Sequence, residues 1–573
     1  MCRAQDVSYD RPDYVTVTAP LSAPVLSAQS ARRLSPLAIA AIAIAAVVAA
    51  PVLIVFANVF LPSQGAWTHL ASTTLPDQVT NTLLLMLGVG IGCVIGGVSA
   101  AWLVTMCRFP GSRLLEWALL LPMAMPAYIM AYAYTDLLQF AGPVQTVLRE
   151  FTGWRRGEYW FPDIYSLGGA IAILTLALYP YVYLLARAAF LEQSICAIEV
   201  ARTLGHGPWA TFFRVALPLA RPAIVAGAAL ALMETAADFG TVQYFAIDTF
   251  TTGIYRTWFG LGNKVAAAQL AAALMGFVLL VLLLERLSRG EARYHHTSRR
   301  WQRIVPAPLA GGRAALALLV CSLPVVLGFI VPTLALLSLS FEGGDPLFGR
   351  RFLTYALNSF ILSGLAAALT VAVALVLAYA LRLQATPTIR SAVRIASLGY
   401  AIPGSVIAVG MLIPLATFDN LVDSWMRASF GISTGLLLSG TIIAILFAYM
   451  VRFLALGLNT VESGLTRVTP SMDEAARTLG AGPANTLVRV HAPILRGSVL
   501  TGAILVFVDV LKELPATLII RPFNFDTLAI RVYHLASDER LAQASTGALT
   551  IVAVGLLPVI VLSLMIRRSR PGG

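Results

Sequence analysis

Four carboxylates lie in segments of this chain that are apolar enough to cross a membrane, and they form two matching pairs. Glu234 and Asp238 lie four residues apart, as do Asp509 and Glu513, and 275 residues separate the corresponding members of the two pairs. A spacing of four predicts that both carboxylates of a pair share one face of a helix. Charges at membrane depth are costly and normally face a bundle interior or a water-filled cavity. We therefore expect these groups to form an attractive field for a cation.

A purely structural role for the carboxylates is the alternative. Lys512, backbone amides or helix ends near the outer interface could satisfy them without any ligand. Further oxygen ligands are available on the tyrosines and one aspartate of neighbouring apolar segments, although tyrosines near helix ends more often anchor a protein at the membrane interface. These residues are Tyr128, Tyr132, Tyr134, Asp136, Tyr179, Tyr181 and Tyr183.

The composition predicts the elements that position these residues. Hydrophobic residues make up 58% of the 573-residue chain and charged residues 12%, and the mean hydropathy is +0.80. These values exclude an ordinary soluble domain and predict an all-α integral membrane protein with about twelve spanning helices, six in each half. The predicted segments are 36–61, 79–106, 114–139, 168–190, 218–245 and 265–286, then 312–340, 355–382, 392–416, 432–457, 494–514 and 541–566.

A polar decapeptide occurs twice and shows that the two halves are copies of one unit. Residues 199–208 read Glu-Val-Ala-Arg-Thr-Leu-Gly-His-Gly-Pro, and residues 474–483 read Glu-Ala-Ala-Arg-Thr-Leu-Gly-Ala-Gly-Pro. Asn81 and Asn358, and Pro126 and Pro403 inside the third helices, support the same pairing. An even number of helices per unit gives both halves the same orientation, so we expect parallel repeats with a pathway between them.

The distribution of arginine predicts the orientation. One set of loops is rich in arginine, whereas the opposite loop 62–78 contains no Lys or Arg. The rich set should be cytoplasmic, which places both termini and both decapeptides inside. We expect a tail at 1–35, repeats at 36–287 and 312–566, a basic linker at 288–311 and a second tail at 567–573. The net charge of +12 is then explained by lipid contact, without nucleic acid.

Each decapeptide is expected to form a short helix on the cytoplasmic side. In the second copy, Ser471 and Glu474 have the spacing of a capping box, and Gly480 supplies a left-handed stop. Ala475, Ala476 and Leu479 then form a small apolar face. So short a helix needs a partner surface, which is either a groove on another protein or, as the alternative, lipid.

These two segments resemble the "EAA" loop of ABC-transporter permeases. The first copy matches through Glu199, Ala201, Arg202 and Gly205, and the second through Glu474, Ala475, Ala476, Arg477 and Gly480. Val200 and Ala492 depart from the pattern but keep their positions small or apolar. The resemblance covers both halves and implies the type I (MetI-like) permease fold in a bacterial inner membrane. It also implies that each loop is a coupling helix docking in a cleft of a cytosolic ATPase subunit.

No ATPase is expected within the chain itself. The sequence contains no Gly-x-x-x-x-Gly-Lys-Ser/Thr loop, so ATP should be bound and hydrolysed by two partner subunits. The sequence contains no recognisable set of catalytic residues, so we do not expect the chain to be an enzyme. We also expect no cofactor in this chain, and the residues do not define a metal site.

The segments around the carboxylates resemble permeases for ferric iron, which work with a periplasmic binding protein. The resemblance lies in residues 234–256 and in residues 512–533, which include Lys512-Glu-Leu-Pro-Ala-Thr-Leu-Ile-Ile-Arg-Pro-Phe. It implies import of Fe(III), a hard cation suited to carboxylate and phenolate oxygen. Thiamine, polyamines and phosphonates remain alternative substrates within the same class. A gradient-driven secondary transporter is the alternative from another class, but such proteins usually carry their signature after the second helix, where this chain has only residues 107–113.

Overall fold

The computed structural model describes residues 35–155, 157–192, 203–205, 207–289, 306–343 and 349–568, and these residues are almost entirely helical. The described residues of the first half form twelve α-helices, many of them short. They are α1 (Pro36–Ala57), α2 (Ala66–Thr73), α3 (Leu75–Met106), α4 (Ser112–Ala118), α5 (Ala127–Leu138), α6 (Pro143–Thr152), α7 (Leu167–Glu192), α8 (Pro208–Thr211), α9 (Leu217–Ala237), α10 (Gly240–Tyr244), α11 (Phe250–Tyr255) and α12 (Lys264–Arg289).

The second half repeats this arrangement of long and short helices. They are α13 (Gly311–Val325), α14 (Val331–Gly343), α15 (Arg350–Leu383), α16 (Pro387–Ser397), α17 (Gly404–Phe430), α18 (Ile442–Leu465), α19 (Pro470–Thr478), α20 (Pro483–Thr486), α21 (Ala492–Leu511), α22 (Pro515–Ile520), α23 (Leu528–Ser537) and α24 (Leu541–Arg568). The two short strands β1 (Cys107–Arg108) and β2 (Ala307–Pro308) pair in parallel.

The number of membrane spans agrees with the sequence prediction. Within the described ranges, eleven helices are long and apolar enough to cross a membrane, and a bent pair of helices raises the number to twelve if it forms one span. That pair joins Ser112–Ala124 to Ala127–Thr152 at an angle of 92°. The all-α, two-repeat fold class is therefore confirmed.

The third segment of each half does not begin as predicted. Pro126 and Pro403 lie at the N-caps of α5 and α17, so neither proline is inside its helix. Proline has no N–H to donate and restricts the residue before it to extended conformations, and Met125 and Ile402 are indeed extended. The predicted span 392–416 instead covers the end of the separate helix α16 and the first half of α17, and α17 is the helix long enough to cross the membrane.

The fourth segment of the second half begins ten residues later than the predicted 432–457. Gly431 ends α17 with a φ of +67°. The residues that follow form a loop held by the preceding helix, because Asp419 accepts hydrogen bonds from the Leu438 and Ser439 amides at 2.8–3.2 Å. The sequence prediction placed this loop inside a span because the loop is apolar in composition.

The two halves make equivalent hydrogen bonds, which supports the internal repeat. Asn81 Nδ2 donates to the Asp248 carbonyl at 3.0 Å, and Asn358 Nδ2 donates to the Asp526 carbonyl at 3.1 Å. Each asparagine lies near the start of a long helix and holds the segment that follows a short helix. A π-helical turn also recurs, at Phe212–Ala216 and Leu487–His491.

The first helix of each half packs largely on the other half. Helix α1 contacts α15, α16 and α17 of the second repeat, while α13 contacts α3 and α4 of the first and α14 contacts α5. The buried core therefore runs across the boundary between the repeats. This packing joins the two halves along a shared interface, which we call the seam. The fifth segments of both repeats, α9 with α10 and α21 with α22, meet there.

Candidate functional site

All four predicted carboxylates line one cavity at the seam between the repeats. The cavity has a volume of about 130 Å³ and is walled by residues of both halves. Its polar and charged lining consists of Tyr128, Tyr181, Glu234, Asp238, Tyr400, Arg452, Asp509, Lys512 and Glu513. The sequence prediction that the two pairs come together is thus matched by the arrangement of the side chains.

The prediction that each pair shares one helical face is wrong. Helix α9 ends at Ala237 and α21 ends at Leu511, so Asp238 and Glu513 lie beyond the helix ends. The predicted spans 218–245 and 494–514 are consequently broken, and the short helices α10 and α22 follow each break. Proline at 515 and close packing at Gly240, where a Cβ would lie 2.6 Å from Tyr128 Cβ, accompany these breaks.

Asp238 and Glu513 bond the amides at the starts of these short helices. Asp238 Oδ1 accepts from the amides of Thr241 at 3.1 Å and Val242 at 3.2 Å. Glu513 accepts from the amide of Ala516 at 2.9 Å and from the amide of Thr517 at 3.0 Å. A carboxylate in this position satisfies donors that have no partner within the helix. One carboxylate of each pair therefore has a structural role, as the alternative interpretation anticipated.

Glu234 and Asp509 have a different environment, because they lie near cationic side chains rather than helix amides. Glu234 Oε2 lies 3.9 Å from Arg452 Nη2, and Asp509 Oδ1 lies 2.8 Å from Lys512 Nζ. Arg452 Nη1 also lies 3.3 Å from Glu513 Oε1. Arg452 therefore links a carboxylate of the first repeat to one of the second. Four carboxylates and two cations leave the cavity with a formal charge of −2.

Sequence reasoning missed Arg452, although a signal was present. It is an arginine within the apolar segment of α18, it is only 8% exposed, and charges at that depth mark functional sites. Lys512 was anticipated as a neutralising partner. Tyr400 was not singled out, because it lies in a stretch predicted to be an uninterrupted span.

The predicted tyrosine ligands divide into two groups. Tyr128 and Tyr181 line the cavity. Tyr134, Tyr179 and Tyr183 donate to the backbone carbonyls of Leu327, Leu119 and Glu116, at 2.5–2.8 Å, and so hold helices together. Tyr132 and Asp136 do not line the cavity.

The second repeated loop forms the predicted short helix, α19, but with a different start. Thr469 is its N-cap, Pro470 is its first residue, and the Ser471–Glu474 capping box is not formed. Instead, the Ser471 and Thr469 hydroxyls bond each other at 2.8 Å. Gly480 has a φ of +79° and supplies the expected left-handed stop.

The predicted apolar face of this loop is divided between two sides of α19. Ala476 is buried at 6% exposure against its own chain, whereas Ala475 is exposed and Leu479 is 86% exposed. Glu474 and Arg477 are also exposed. The surface open to a partner therefore consists of Ala475 and Leu479 with their charged neighbours.

The first repeated loop lies mostly outside the described residues, which include neither Glu199, Ala201 nor Arg202. Gly205 is described and has a φ of +82°, close to the value of its counterpart Gly480. Leu204, which corresponds to Leu479, is 73% exposed. The described end of this loop therefore matches the second copy.

Two membrane helices hold α19 through a partly buried polar contact. Asp473 Oδ2 lies 2.7 Å from Arg382 Nη2 at the end of α15, and Asp473 Oδ1 lies 2.7 Å from His491 Nε2 just before α21. Burial alone would raise the pKa of Asp473, but its hydrogen bonds with Arg382 and His491 lower that pKa below the usual 3.8. This contact fixes α19 relative to the helices that reach the cavity.

The first helix of each six-helix repeat packs on the other repeat, and the two repeats share a charged cavity. Together with the short polar helices that join the spans, these features are those of a membrane transport permease. The chain matches the sequence model described as "Binding-protein-dependent transport system inner membrane component" twice, over residues 88–289 and 388–571. It belongs to this family, and the resemblance to ABC-importer permeases is confirmed. It is a multi-pass membrane subunit of a transporter.

Relatives of the chain include permeases named for metal transport. It is 28% identical over 495 residues to the Fe(3+)-transport system permease protein FbpB 2 of Haemophilus influenzae, covering 85% of this chain and 90% of that protein. It is 23% identical over 492 residues to the ferric transport system permease protein FbpB of Actinobacillus pleuropneumoniae, covering 81% and 66%. The molybdenum transport system permease protein ModB of Escherichia coli is 30% identical over 208 residues, covering 34% of this chain and 87% of that protein.

Proposed function

We propose that the protein is the permease subunit of an ABC importer for ferric iron, and that iron crosses at the seam between the repeats. The observation that carries this proposal is the cavity, in which Glu234, Asp238, Asp509 and Glu513 from both repeats converge with tyrosines. Fe(III) is a hard cation that prefers oxygen ligands, and a net negative cavity attracts cations. The names of the full-length relatives support the same substrate.

The repeated loops are proposed to couple the permease to ATP hydrolysis. The chain has no phosphate-binding loop of its own, so ATP is hydrolysed by two cytosolic subunits, one at each loop. Ala475, Leu479 and Arg477 of the second copy, with Leu204 and Gly205 of the first, form the docking surface. Glu199 and Arg202 complete the first copy by analogy with Glu474 and Arg477, whereas Ala201 corresponds to the buried Ala476.

The proposed setting is a bacterial inner membrane with both termini and both loops in the cytoplasm. A periplasmic binding protein delivers iron to the opposite face, and lipid surrounds the apolar helices. The asymmetric distribution of arginine supports this orientation. Cysteine substitution at Gly482 in the loop and at Trp160 in the opposite loop, followed by labelling of intact cells, tests it. Trp160 is 87% exposed, and only its variant should react with an impermeant reagent.

Reconstitution tests the substrate. Proteoliposomes carrying the permease, its ATPase subunits and its binding protein should accumulate radiolabelled Fe(III) only when ATP reaches the ATPase side. Labelled thiamine and spermidine serve as matched alternatives. Accumulation of either alternative without iron would overturn the proposed substrate while leaving the class of transporter intact.

An oxyanion importer is the second candidate function. The matched part of the chain resembles a molybdenum permease at 30% identity, and Arg452 and Lys512 are positive groups in the cavity. The excess of carboxylates favours a cation, because a −2 field repels molybdate and sulfate. Labelled molybdate added to the same vesicles distinguishes the two, since an oxyanion importer would accumulate it in place of iron.

A further inference from the structure

The two repeats contribute equally to the carboxylates of the cavity but not to its cations. Arg452 and Lys512 both belong to the second repeat. At the 275-residue interval that relates the carboxylate pairs, the first repeat has Ala177 and Ala237. Both alanines line the same cavity and are buried at 5% and 6% exposure. Both repeats therefore supply matching negative charges to the cavity, whereas only the second repeat supplies positive charges.

We propose that Arg452 and Lys512 are internal counter-ions, which occupy the place of a transported cation while the cavity is closed and release carboxylates to it when the repeats separate. This role rests on the proposed import of a cation, but it does not require that the cation be iron. It assigns the two side chains to specificity and gating rather than to ligand binding.

The geometry of Arg452 favours release of one carboxylate in particular. Its guanidinium lies 3.3 Å from Glu513, in the same repeat, and 3.9 Å from Glu234, in the other. Glu513 is also held by the Ala516 and Thr517 amides. Separation of the repeats would therefore leave Arg452 with Glu513 and free Glu234. Glu234 would then carry a negative charge without its cationic partner, and because its side chain is already 25% exposed, it would attract an incoming cation.

Lys512 acts on the corresponding residue of the second repeat. Its ammonium lies 2.8 Å from Asp509, and both residues lie at the end of α21. Lysine carries its charge on a flexible stem, so the ammonium can leave Asp509 without a backbone change. Glu234 and Asp509, which are related by the repeat, are thus the two carboxylates held by cations rather than by helix amides.

A second observation indicates that the cavity is built to receive a ligand. Tyr128 is among the residues that line the cavity and is only 5% exposed, and its hydroxyl has no hydrogen-bond partner among the residues that the structure describes. A buried hydroxyl normally has a partner. In the arrangement that the structure shows, no three acidic, histidine or cysteine side chains of the described ranges are grouped to hold a metal ion. We expect the carboxylates to become available only after the cations withdraw.

The alternative is that Arg452 and Lys512 simply neutralise carboxylates that hold the fold together. The alternative predicts that their removal only destabilises the protein. Alanine is the informative substitution, because the first repeat already has alanine at both equivalent positions. Arg187, a buried arginine of the first repeat paired with Glu116 outside the cavity, provides a matched control for loss of a buried positive charge.

Terbium(III) luminescence tests the proposal on the full-length permease purified with its ATPase subunits. Tb³⁺ is a hard trivalent cation that binds oxygen ligands and emits when a nearby tyrosine is excited, and Tyr128, Tyr181 and Tyr400 line the cavity. Arg452→Ala with Lys512→Ala should bind Tb³⁺ about tenfold or more tightly than the natural protein, because two repulsive charges are removed. Arg187→Ala should not change the affinity.

Two further variants make the outcome decisive. Adding Glu234→Gln and Asp509→Asn to the double variant should abolish the gain. Arg452→Lys as a single substitution, with Lys512 retained, should keep the natural affinity. If the double variant does not fold, Lys512→Ala alone should still bind Tb³⁺ more tightly. An unchanged affinity in folded protein, or a gain that survives loss of Glu234 and Asp509, overturns the proposal. Failure of iron uptake with a normal Tb³⁺ response would instead reject iron as the cargo.

Discussion

His491 Nε2 lies 2.7 Å from Asp473 Oδ1 and joins the short helix α19 to the start of the membrane helix α21. The first repeat has Ala216 and Ile198 at the equivalent positions, 275 residues earlier. This polar link is therefore specific to the second loop. Asp509 and Glu513 lie at and just beyond the far end of α21. The contact therefore links the second loop, through α21, to the residues that line the cavity.

The first prediction concerns the pH dependence of this link. In the folded protein, burial acts to raise the pKa of Asp473, but the hydrogen bonds with Arg382 and His491 outweigh burial and lower that pKa. Its stabilising contribution is therefore complete above the unfolded pKa and is lost as the pH falls through the folded pKa. Amide protection of residues 470–478, measured by hydrogen exchange, should hold down to about pH 5 and decrease below about pH 4.

Asp473→Asn is the matched control for this measurement. It keeps the size of the side chain but cannot titrate, so its protection should be lower at neutral pH and should not decrease further through the same range. An equal acid-induced loss in the natural protein and in this variant would show that other groups cause it.

The second prediction separates two neighbouring alanines of α19. Ala475 is exposed and Ala476 is buried against its own chain. Ala475→Arg should abolish ATP-driven uptake and weaken co-purification of the ATPase, without lowering the thermal stability of the permease. Ala476→Arg should lower that stability by more than about 2 kcal/mol, because it buries a charge. Normal uptake and co-purification with Ala475→Arg would contradict the docking role.

The third prediction concerns the helix stops of the two loops. Gly205 and Gly480 have φ values of +82° and +79°, and no atom lies within 4 Å of a Cβ built at either position. Alanine there adds only backbone strain, about 1 kcal/mol. We expect Gly480→Ala to reduce coupled uptake severalfold. Gly482→Ala is the control, since Gly482 has equal space but no positive φ; equal losses in the two variants would exclude strain as the cause.

The repeat and the meeting of the carboxylates could be predicted from sequence, because both follow from exact intervals. Eight positions of a ten-residue segment recur, and an interval of 275 residues predicts symmetry-related positions wherever each half folds alike. The two loops that we propose to dock the ATPase subunits could be located for the same reason. Which side chains of a loop are buried and which are exposed could not be predicted, because the burial of Ala476 depends on packing against other parts of the chain.

The breaks after α9 and α21 were missed for a physical reason. Leu232, Met233 and Glu234 are good helix formers, and nothing in their own composition ends the helix at Ala237. The helix ends where tertiary contacts compete, through close packing at Gly240 and the bonds of Asp238 to α10. Arg452 was missed because its partners belong to segments distant in the sequence.

The fourth prediction concerns the source of energy. The purified chain alone should not hydrolyse ATP, and uptake in vesicles with internal ATP should survive collapse of the proton gradient by an uncoupler. This outcome is expected because, in the proposed function, the free energy is supplied by ATPase subunits that dock at the loops. Uptake that follows the gradient at constant ATP would instead support a secondary transporter.

The last prediction separates the two kinds of carboxylate in the cavity. Asp238 and Glu513 bond helix amides, so Asp238→Asn with Glu513→Gln should lower the thermal stability, by about 1 kcal/mol for each weakened contact. Glu234 and Asp509 instead pair with the cationic side chains of Arg452 and Lys512 and are 25% and 21% exposed, so Glu234→Gln with Asp509→Asn should lower the stability less than the first pair does. The second pair should nevertheless lose most of the iron uptake, normalised to inserted protein, because it lowers the field that attracts the cation. Full normalised uptake in the Glu234/Asp509 variant would remove these carboxylates from the transport pathway, whatever the result for the other pair.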